Sequence, residues 1–249
     1  MKIRLDKLLV QRGLVPSRER AQALILAGKV LVNDQKLEKA GAAVDPNAAV
    51  RLLGDDLRYV SRGGLKLEKA LQHWNIDVAG LCCLDVGAST GGFTDCLLQH
   101  GAARVIAVDT GYGQIAMKIR QDSRVRLLEK KNARYITRED LSEAVEVIVM
   151  DVSFISVNLV LPPVMAAAFT EAPKLRSGKQ LIVLVKPQFE VGREHVGKGG
   201  IVRDETAQAA AVEKVRAMVT ALGAAHTDVI DSPILGAEGN REFLLYAKF

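Results

Sequence analysis

Cysteine is scarce in this sequence, and its spacing is not that of a metal site. The three cysteines are Cys82, Cys83 and Cys96, an odd number without the paired spacing of zinc ligands. The first two lie in an apolar run, where cysteine acts as a small hydrophobic side chain. This usage is typical of a protein kept in the reducing cytosol, so we expect a cytoplasmic protein with no bound metal.

Long apolar runs are also absent. The most apolar region, from Val145 to Phe169, is interrupted by Glu146, Asp151 and the pair Pro162-Pro163. A membrane-spanning helix needs about 20 consecutive apolar residues, so this region does not predict one. The N-terminal segment is charged and lacks the apolar core of a signal peptide. We therefore expect no membrane partner.

Charge of one sign is concentrated in the N-terminal quarter of the chain. Residues 1–62 contain 12 Lys and Arg against 7 Asp and Glu, whereas residues 63–249 contain 22 of each sign. With 249 residues, of which 49% are apolar, the chain can form one large domain and a small one. A basic module beside a neutral body favours binding of a polyanion, and the alternative is a solvated basic face.

The first 57 residues predict a small α+β module. Leucines recur at helical spacing over residues 5–9, and a second helix is predicted between Ser17, its N-cap, and Gly28, its terminator. A strand that turns at Asn33-Asp34 follows, and then another strand at residues 49–53. Two helices with a few short strands would bury one small core.

The rest of the chain predicts a large α/β domain. From Gly80 onward, runs that are apolar at nearly every position alternate with segments of helix length. This pattern indicates a parallel sheet with helices on both faces, as in a Rossmann-like fold. We assign residues 58–64 to a glycine-containing linker and residues 65–249 to the domain. The predicted strands are residues 81–86, 104–109, 145–151, 180–186 and 242–248.

Four of these strands end on, or just before, an ionisable residue: Asp85, Asp109, Asp151 and Lys186. In an open α/β sheet the ligand site is the crevice at the carboxyl ends of the strands. The topology alone would therefore gather these four side chains in one cleft. A lysine at the end of a buried strand is costly to desolvate, which favours a chemical role for it.

The turn after the first of these strands is rich in glycine and predicts a cofactor site. Its spacing differs from the dinucleotide pattern, and an acid beside it would repel a pyrophosphate but attract an ammonium group. Together with an acid placed to hold ribose hydroxyls, this favours S-adenosylmethionine over NAD. The predicted cofactor residues are Asp85, Gly87, Ala88, Ser89, Gly91, Gly92, Phe93 and Asp109.

The remaining cleft residues narrow down the methyl acceptor. Amino methyltransferases acting on bases carry two prolines after the acid of the fourth strand, and Asp151-Val-Ser-Phe154 has neither. No cysteine lies at a later strand end, which argues against a cysteine nucleophile. A lysine beside a carboxylate suits proton removal from a hydroxyl, so Lys186 is the predicted base and Asp151 its partner.

Several motifs, in order and spacing, resemble the TlyA family of ribosomal RNA ribose methyltransferases, also labelled hemolysin-like. The N-terminal ones are similar to the RNA-binding module first seen in ribosomal protein S-four, and the later ones to the FtsJ-like methyltransferases. They are Leu5-Asp-Lys-Leu-Leu-Val-Gln-Arg-Gly, Ser17-Arg18, Gly28-Lys-Val-Leu-Val-Asn33, Tyr59-Val-Ser-Arg-Gly-Gly-Leu-Lys-Leu67, Leu84-Asp-Val-Gly-Ala-Ser-Thr-Gly-Gly-Phe-Thr-Asp95, Asp151-Val-Ser-Phe-Ile-Ser156 and Val185-Lys-Pro-Gln-Phe-Glu190.

The resemblance implies a catalytic tetrad and a substrate. The tetrad is Lys66, Asp151, Lys186 and Glu242, with Glu238 as a competitor for the last place. The implied reaction is 2′-O-methylation of a cytidine in ribosomal RNA of the large subunit, and possibly also of the small subunit. The N-terminal module would contact RNA phosphates through Arg4, Lys7, Arg18, Arg20 and Lys29. The alternatives are an rRNA-binding assembly factor without catalysis and a pore-forming hemolysin.

Overall fold

The chain forms two compact units, Met1–Arg58 and Tyr59–Phe249. The structure, a computed structural model, describes residues 2–15, 17–53, 58–169, 178–236 and 238–249. The predicted end of the N-terminal module, residue 57, lies outside the described residues, and the domain boundaries stay a prediction.

Within residues 2–15 and 17–53, the first unit contains two helices and five short strands. Strands β3-β2-β5 form an antiparallel sheet, and β1 pairs with β4. Apolar side chains of both helices and of the strands, among them Leu5, Leu9, Ile25 and Val30, form its core. The elements are β1 (Ile3–Arg4), α1 (Leu5–Gln11), α2 (Arg18–Leu26), β2 (Val30–Val32), β3 (Gln35–Lys36), β4 (Ala43–Val44) and β5 (Val50–Leu52).

Local signals position these elements as the sequence predicts. Ser17 caps α2, because its side chain accepts a hydrogen bond from the backbone N–H of Arg20 at 3.2 Å. Asn33 and Asp34 have φ angles of 49° and 61°, as a two-residue hairpin turn between β2 and β3 requires. The predicted α+β module is confirmed, with β1 and β4 as additions.

The second unit is a seven-stranded sheet with helices on both faces. Its helices are α3 (Gly63–His73), α4 (Gly92–Gln99), α5 (Met117–Arg120), α6 (Arg138–Leu141), α7 (Val157–Ala168), α8 (Pro187–Glu190) and α9 (Glu205–Ala221). Its strands are β6 (Cys82–Val86), β7 (Arg104–Val108), β8 (Val125–Leu128), β9 (Val147–Met150), β10 (Gln180–Val185), β11 (His226–Asp231) and β12 (Phe243–Lys248).

The strand order is β11-β12-β10-β9-β6-β7-β8. Strands β6 to β10 are parallel, and β12 runs antiparallel to both of its neighbours. The chain moves outward from β6 to β8 and then returns to β9 on the other side of β6. A crevice therefore opens between the carboxyl ends of β6 and β9, where ligands bind in folds of this class.

Burial on both faces of the sheet explains why the sequence predicts the parallel strands. All four residues of β9 are fully buried, and separate apolar clusters cover the two faces of the sheet. The expected Rossmann-like sheet is thus confirmed. Strands β8 and β11 were not predicted, because their residues are mostly half-buried and do not form an apolar run. Across the described ranges, no helix is long and apolar enough to cross a membrane.

The segment predicted to be a linker, residues 58–64, is largely part of the second unit. Tyr59 is buried in its core, and Gly63 and Gly64 begin α3. A Cβ atom on Gly64 would come within 2.3 Å of the Tyr59 ring, so the two residues are packed in direct contact. The glycines here serve close packing rather than flexibility.

Candidate active site

Two adjoining cavities lie at the carboxyl edge of the sheet, each of about 510 Å³. Both are lined by Gly87, Ser89, Asp151, Ser153 and Phe154, so they meet at the ends of β6 and β9. The first cavity is also lined by side chains from α3 and from the start of β12, and we call it the tetrad cavity. The second is lined by the loops that follow β7 and β8, and we call it the ribose cavity after the role that the sequence predicts for Asp109.

Lys186 and Asp151 are in direct contact in the tetrad cavity. The Lys186 Nζ atom lies 2.6 Å from Asp151 Oδ1 and donates a hydrogen bond to Ser153 Oγ at 2.7 Å. Lys186 follows β10, and Asp151 follows the neighbouring parallel strand β9. Two acceptors thus hold the amine of Lys186 at the wall of the cavity, and Ser153 was not among the predicted residues.

Lys66 and Glu242 form a second pair in the same cavity. The Lys66 Nζ atom donates to Glu242 Oε2 at 2.5 Å, and both side chains are buried. Glu238 also lines this cavity, but its side chain is exposed. The structure therefore brings together the four residues of the implied tetrad.

The segment before α3 positions Lys66. The backbone N–H of Val60 donates to the Asp95 carboxylate on α4 at 2.8 Å, and Tyr59 is buried in the core. Helices α3 and α4 pack against each other, which directs the first turn of α3 toward the cavity. The carboxylate of Asp95 also pairs with Lys118 at 2.9 Å.

The glycine-rich turn approaches Asp151 closely. Gly87 has φ +88°, and a Cβ atom there would lie 2.4 Å from the carbonyl oxygen of Asp151. Only glycine fits this position, because both the conformation and the space exclude a side chain. Five of the six predicted residues of the turn line the tetrad cavity, namely Gly87, Ala88, Ser89, Gly92 and Phe93. Gly91 instead packs toward Ile115 and Ile119.

Asp109, which the sequence predicts to hold ribose hydroxyls, lines the ribose cavity. Its Oδ2 accepts a hydrogen bond from the backbone N–H of Ser89 at 2.8 Å, and its Oδ1 accepts one from that of Gly111 at 2.6 Å. Each carboxylate oxygen can accept a further hydrogen bond. The carboxylate is thus fixed between two loops and still has acceptor capacity toward the cavity.

Asp85 lies behind the glycine-rich turn and is fully buried. Its Oδ2 accepts a hydrogen bond from Thr94 Oγ1 at 2.6 Å, whereas its Oδ1 has no partner among the described residues. Burial raises the pKa of this carboxyl to about 7, against the opposing effect of the Thr94 hydrogen bond. Asp85 lines neither cavity.

Phe154 is a site feature that the sequence reasoning missed. Its side chain is 89% exposed although it lines both cavities, and its φ angle is +64°. A bulky residue in this conformation is a genuine outlier that its surroundings must stabilise. The ring packs against Phe189, with 5.3 Å between the ring centroids. Both phenylalanines are in the quoted motifs, but no local pattern reveals that one of them is exposed.

In the N-terminal unit, a buried carboxylate organises part of the predicted RNA-binding set. Asp6 accepts hydrogen bonds from Arg4, Arg18 and Gln22 at 2.9–3.0 Å. The Arg4 guanidinium holds the pKa of Asp6 well below its usual range. Arg4 and Arg18 remain about half exposed.

The other three predicted RNA contacts are Lys7 and Lys29, which are exposed, and Arg20, which is half-buried.

Family models match both parts of the chain. The model of the FtsJ-like methyltransferase family matches residues 59–249, and that of the S4 domain matches residues 3–50. YqxC of Bacillus subtilis is 47% identical over 98% of this chain and 85% of its own length. The 16S/23S rRNA (cytidine-2'-O)-methyltransferase TlyA of Mycobacterium tuberculosis is 44% identical over 98% of this chain and 89% of its own.

A solved structure also matches nearly the whole chain. It belongs to a Streptococcus thermophilus protein that carries the name hemolysin, with a TM-score of 0.73 and 44% identity. The match covers 99% of this chain and 88% of that one.

Proposed function

Because the chain belongs to the FtsJ-like methyltransferase family and has an S4 domain before this part, we propose that it methylates a cytidine 2′-hydroxyl in ribosomal RNA, the reaction named for its TlyA relative. The observation that carries this proposal is the Lys186–Asp151 pair, in which Lys186 lines the tetrad cavity and Asp151 lines both cavities. An amine and a carboxylate at this point can remove a proton from an alcohol.

S-adenosylmethionine is the proposed methyl donor. The ribose cavity fits its nucleoside, because Asp109 is held there with free acceptor capacity for two hydroxyls. The turn at Gly87 leaves room for close approach of a ligand to the backbone. When bound, the cofactor would supply an electrophilic methyl group. The other turn residues and Phe93 would contact the cofactor from the tetrad cavity. Asp85 is buried behind the turn and would affect cofactor binding only by holding the turn in place.

Lys186 is the proposed general base. In its neutral form its amine would accept the proton of the 2′-hydroxyl, and Asp151 would stabilise the resulting ammonium group. Ser153 Oγ accepts a hydrogen bond from the same nitrogen and so limits its orientation. By general precedent, orientation of the reactants contributes about 7–11 kcal/mol and proton transfer a further factor of about 10²–10⁴ in rate.

The Lys66–Glu242 pair and the two phenylalanines would position the nucleotide. Lys66 and Glu242 neutralise each other at the floor of the cavity and can hydrogen-bond to a ribose or phosphate. Exposed aromatic rings stack on unpaired bases in RNA-binding proteins, and Phe154 presents such a ring at the mouth of the cavity. We infer that the target cytidine is turned outward and stacks there.

The N-terminal module would provide affinity rather than specificity. Arg4, Lys7, Arg18, Arg20 and Lys29 would contact phosphates, which makes binding sensitive to salt. The 16S/23S name of the Mycobacterium relative allows either subunit as the target, and we propose the large subunit first. A ribosomal substrate would place the protein in the cytoplasm.

The test is methyl transfer from labelled S-adenosylmethionine to separate large and small ribosomal subunits, followed by mapping of the modified ribose. We expect one cytidine 2′-O-methyl group on the large subunit. Absence of cofactor binding in calorimetry, with retained rRNA binding, would instead support an assembly factor. Leakage of liposomes caused by the pure protein would support the hemolysin alternative.

A further inference from the structure

Two segments that follow neighbouring strands run side by side at the active site. One is the loop of residues 151–156 after β9, and the other is residues 186–190 after β10, which comprise Lys186 and helix α8. They touch at successive positions: Lys186 contacts Asp151 and Ser153, and Phe189 packs against Phe154. Beyond these contacts, the far ends of the two segments are also joined.

The far junction is made by a buried carboxylate that the proposed chemistry does not use. Glu190 Oε2 accepts a hydrogen bond from Ser156 Oγ at 2.6 Å, and Oε1 accepts one from the backbone N–H of Val157 at 2.7 Å. Glu190 is 5% exposed and lines neither cavity. We call these two hydrogen bonds the Glu190 tie.

A lysine on α9 contacts Glu190 and stabilises the tie. Lys214 Nζ donates to the backbone carbonyl of Glu190 at 2.8 Å and lies 3.9 Å from its Oε2. The negative charge of Glu190 also faces the N-terminus of α7, where a carboxylate is favourable. Burial raises the pKa of Glu190 above its ordinary value, as expected for a carboxyl removed from water. The tie is thus anchored to both α7 and α9.

The loop that the tie holds needs stabilisation. Residues 151–156 belong to neither a helix nor a strand, and Phe154 in their middle has a φ angle of +64°. Such a conformation persists only when the surroundings impose it. The loop is held at one end by β9, where Asp151 N–H donates to Val86 at 2.9 Å, and at the other end by Glu190.

We propose that Glu190 is a positioning residue for the methyl transfer, holding Ser156 and Val157 so that the strained loop keeps Asp151 against Lys186. The expected effect on the methyl-transfer rate rests on the proposed function. The expected effect on the contact between Lys186 and Asp151 does not. This positioning role differs from a purely structural cap on α7, which would stabilise the protein without affecting the separation of Asp151 and Lys186.

The kinetic test compares three variants at a temperature where all are folded. Glu190→Ala removes the tie, and we expect its single-turnover rate with ribosomal subunits to fall about 100-fold, as a displacement of about 1 Å does elsewhere. Its affinity for S-adenosylmethionine should be unchanged. Glu190→Gln should keep most of the rate, because its amide oxygen can accept from Val157 and its amide nitrogen can donate to Ser156.

The matched control is Thr137→Ala, which removes the N-cap of α6 in the same unit. It should lose stability as Glu190→Ala does and keep the wild-type rate. A wild-type rate in Glu190→Ala, or an equal loss of rate in the control, would overturn the proposal.

A second measurement separates this inference from the proposed function. Crystal structures of the wild type and of Glu190→Ala give the distance between Lys186 Nζ and Asp151 without any assay. Loss of the 2.6 Å contact in the variant supports the tie, and an unchanged contact refutes it. If the wild type methylates neither subunit, the proposed function fails. The distance between Lys186 and Asp151 in the two crystal structures still decides whether Glu190 positions this pair. Should Glu190→Ala not fold, Ser156→Ala takes its place.

Discussion

Lys66 and Glu242 are 176 residues apart in the sequence, yet their side chains meet at 2.5 Å in the tetrad cavity. Lys66 lies in the first turn of α3, and Glu242 directly precedes β12. The pair is buried, so each charge depends on the other. The tetrad cavity is therefore lined by residues from near both ends of the sequence of the second unit.

Separating this pair should destabilise the protein more than removing it. Lys66→Met leaves a buried carboxylate without its cation, and we expect a loss of about 3–5 kcal/mol in the free energy of unfolding. The double variant Lys66→Met, Glu242→Leu should recover part of this loss. Denaturant unfolding of the wild type, Lys66→Met, Glu242→Leu and the double variant measures the coupling energy between the two side chains. Additive losses of unfolding free energy would show that the pair is not coupled.

Lys186→Ala should strongly slow methyl transfer while leaving cofactor binding intact. Removal of the base should lower the single-turnover rate by about 10²–10⁴-fold. Lys186 lies in the tetrad cavity and does not line the ribose cavity, so calorimetry should give the wild-type affinity for S-adenosylmethionine. Full activity of this variant would exclude Lys186 as the base.

Gly87→Ala should weaken cofactor binding by about tenfold or more, which corresponds to about 1.4 kcal/mol. The added Cβ would collide with the carbonyl of Asp151, 2.4 Å away. Gly80→Ala is the matched control, because Gly80 also has a positive φ angle, +75°, but a Cβ there would meet no atom of the described residues within 4 Å. Equal calorimetric affinities in the two variants would show that the collision at Gly87 does not govern cofactor binding.

Asp85→Asn should stabilise the protein progressively as the pH rises. The folded state keeps the Asp85 proton up to a pKa of about 7, whereas an unfolded chain releases it near pH 4. Wild-type stability therefore falls between about pH 4 and pH 7, by up to about 4 kcal/mol. The difference in melting temperature between variant and wild type should grow from pH 5 to pH 8. A constant difference would indicate that Asp85 does not titrate in this range.

Asp6→Asn should destabilise the N-terminal unit by about 2 kcal/mol at neutral pH, because charge-assisted hydrogen bonds to Arg4 and Arg18 are weakened. The pKa of Asp6 is lowered in the folded state, so its contribution is present above the unfolded pKa of about 4. It is lost as the pH falls through the lower, folded pKa. The difference in melting temperature between the wild type and Asp6→Asn should therefore become smaller at acidic pH. The same variant should bind rRNA more weakly if the arginines contact phosphates.

Elements with local signals could be predicted from the amino-acid sequence. Apolar runs marked β6, β7, β9 and β10 because these strands are buried on both faces, and the strand ends then located Asp109, Asp151 and Lys186 at one crevice. Strand β12 was visible for the same reason. The glycine-rich turn could be recognised because tight turns depend on the residues within them.

Which side chains meet, in contrast, depends on the folded arrangement. The Lys66–Glu242 pair and the Glu190 tie join segments that are far apart in the chain, and no periodicity within a segment specifies such a contact. The edge strands β8 and β11 escaped detection because their half-exposed residues need no apolar pattern. The strained backbone of Phe154 depends on contacts with the neighbouring helix α8, which no pattern within residues 151–156 specifies.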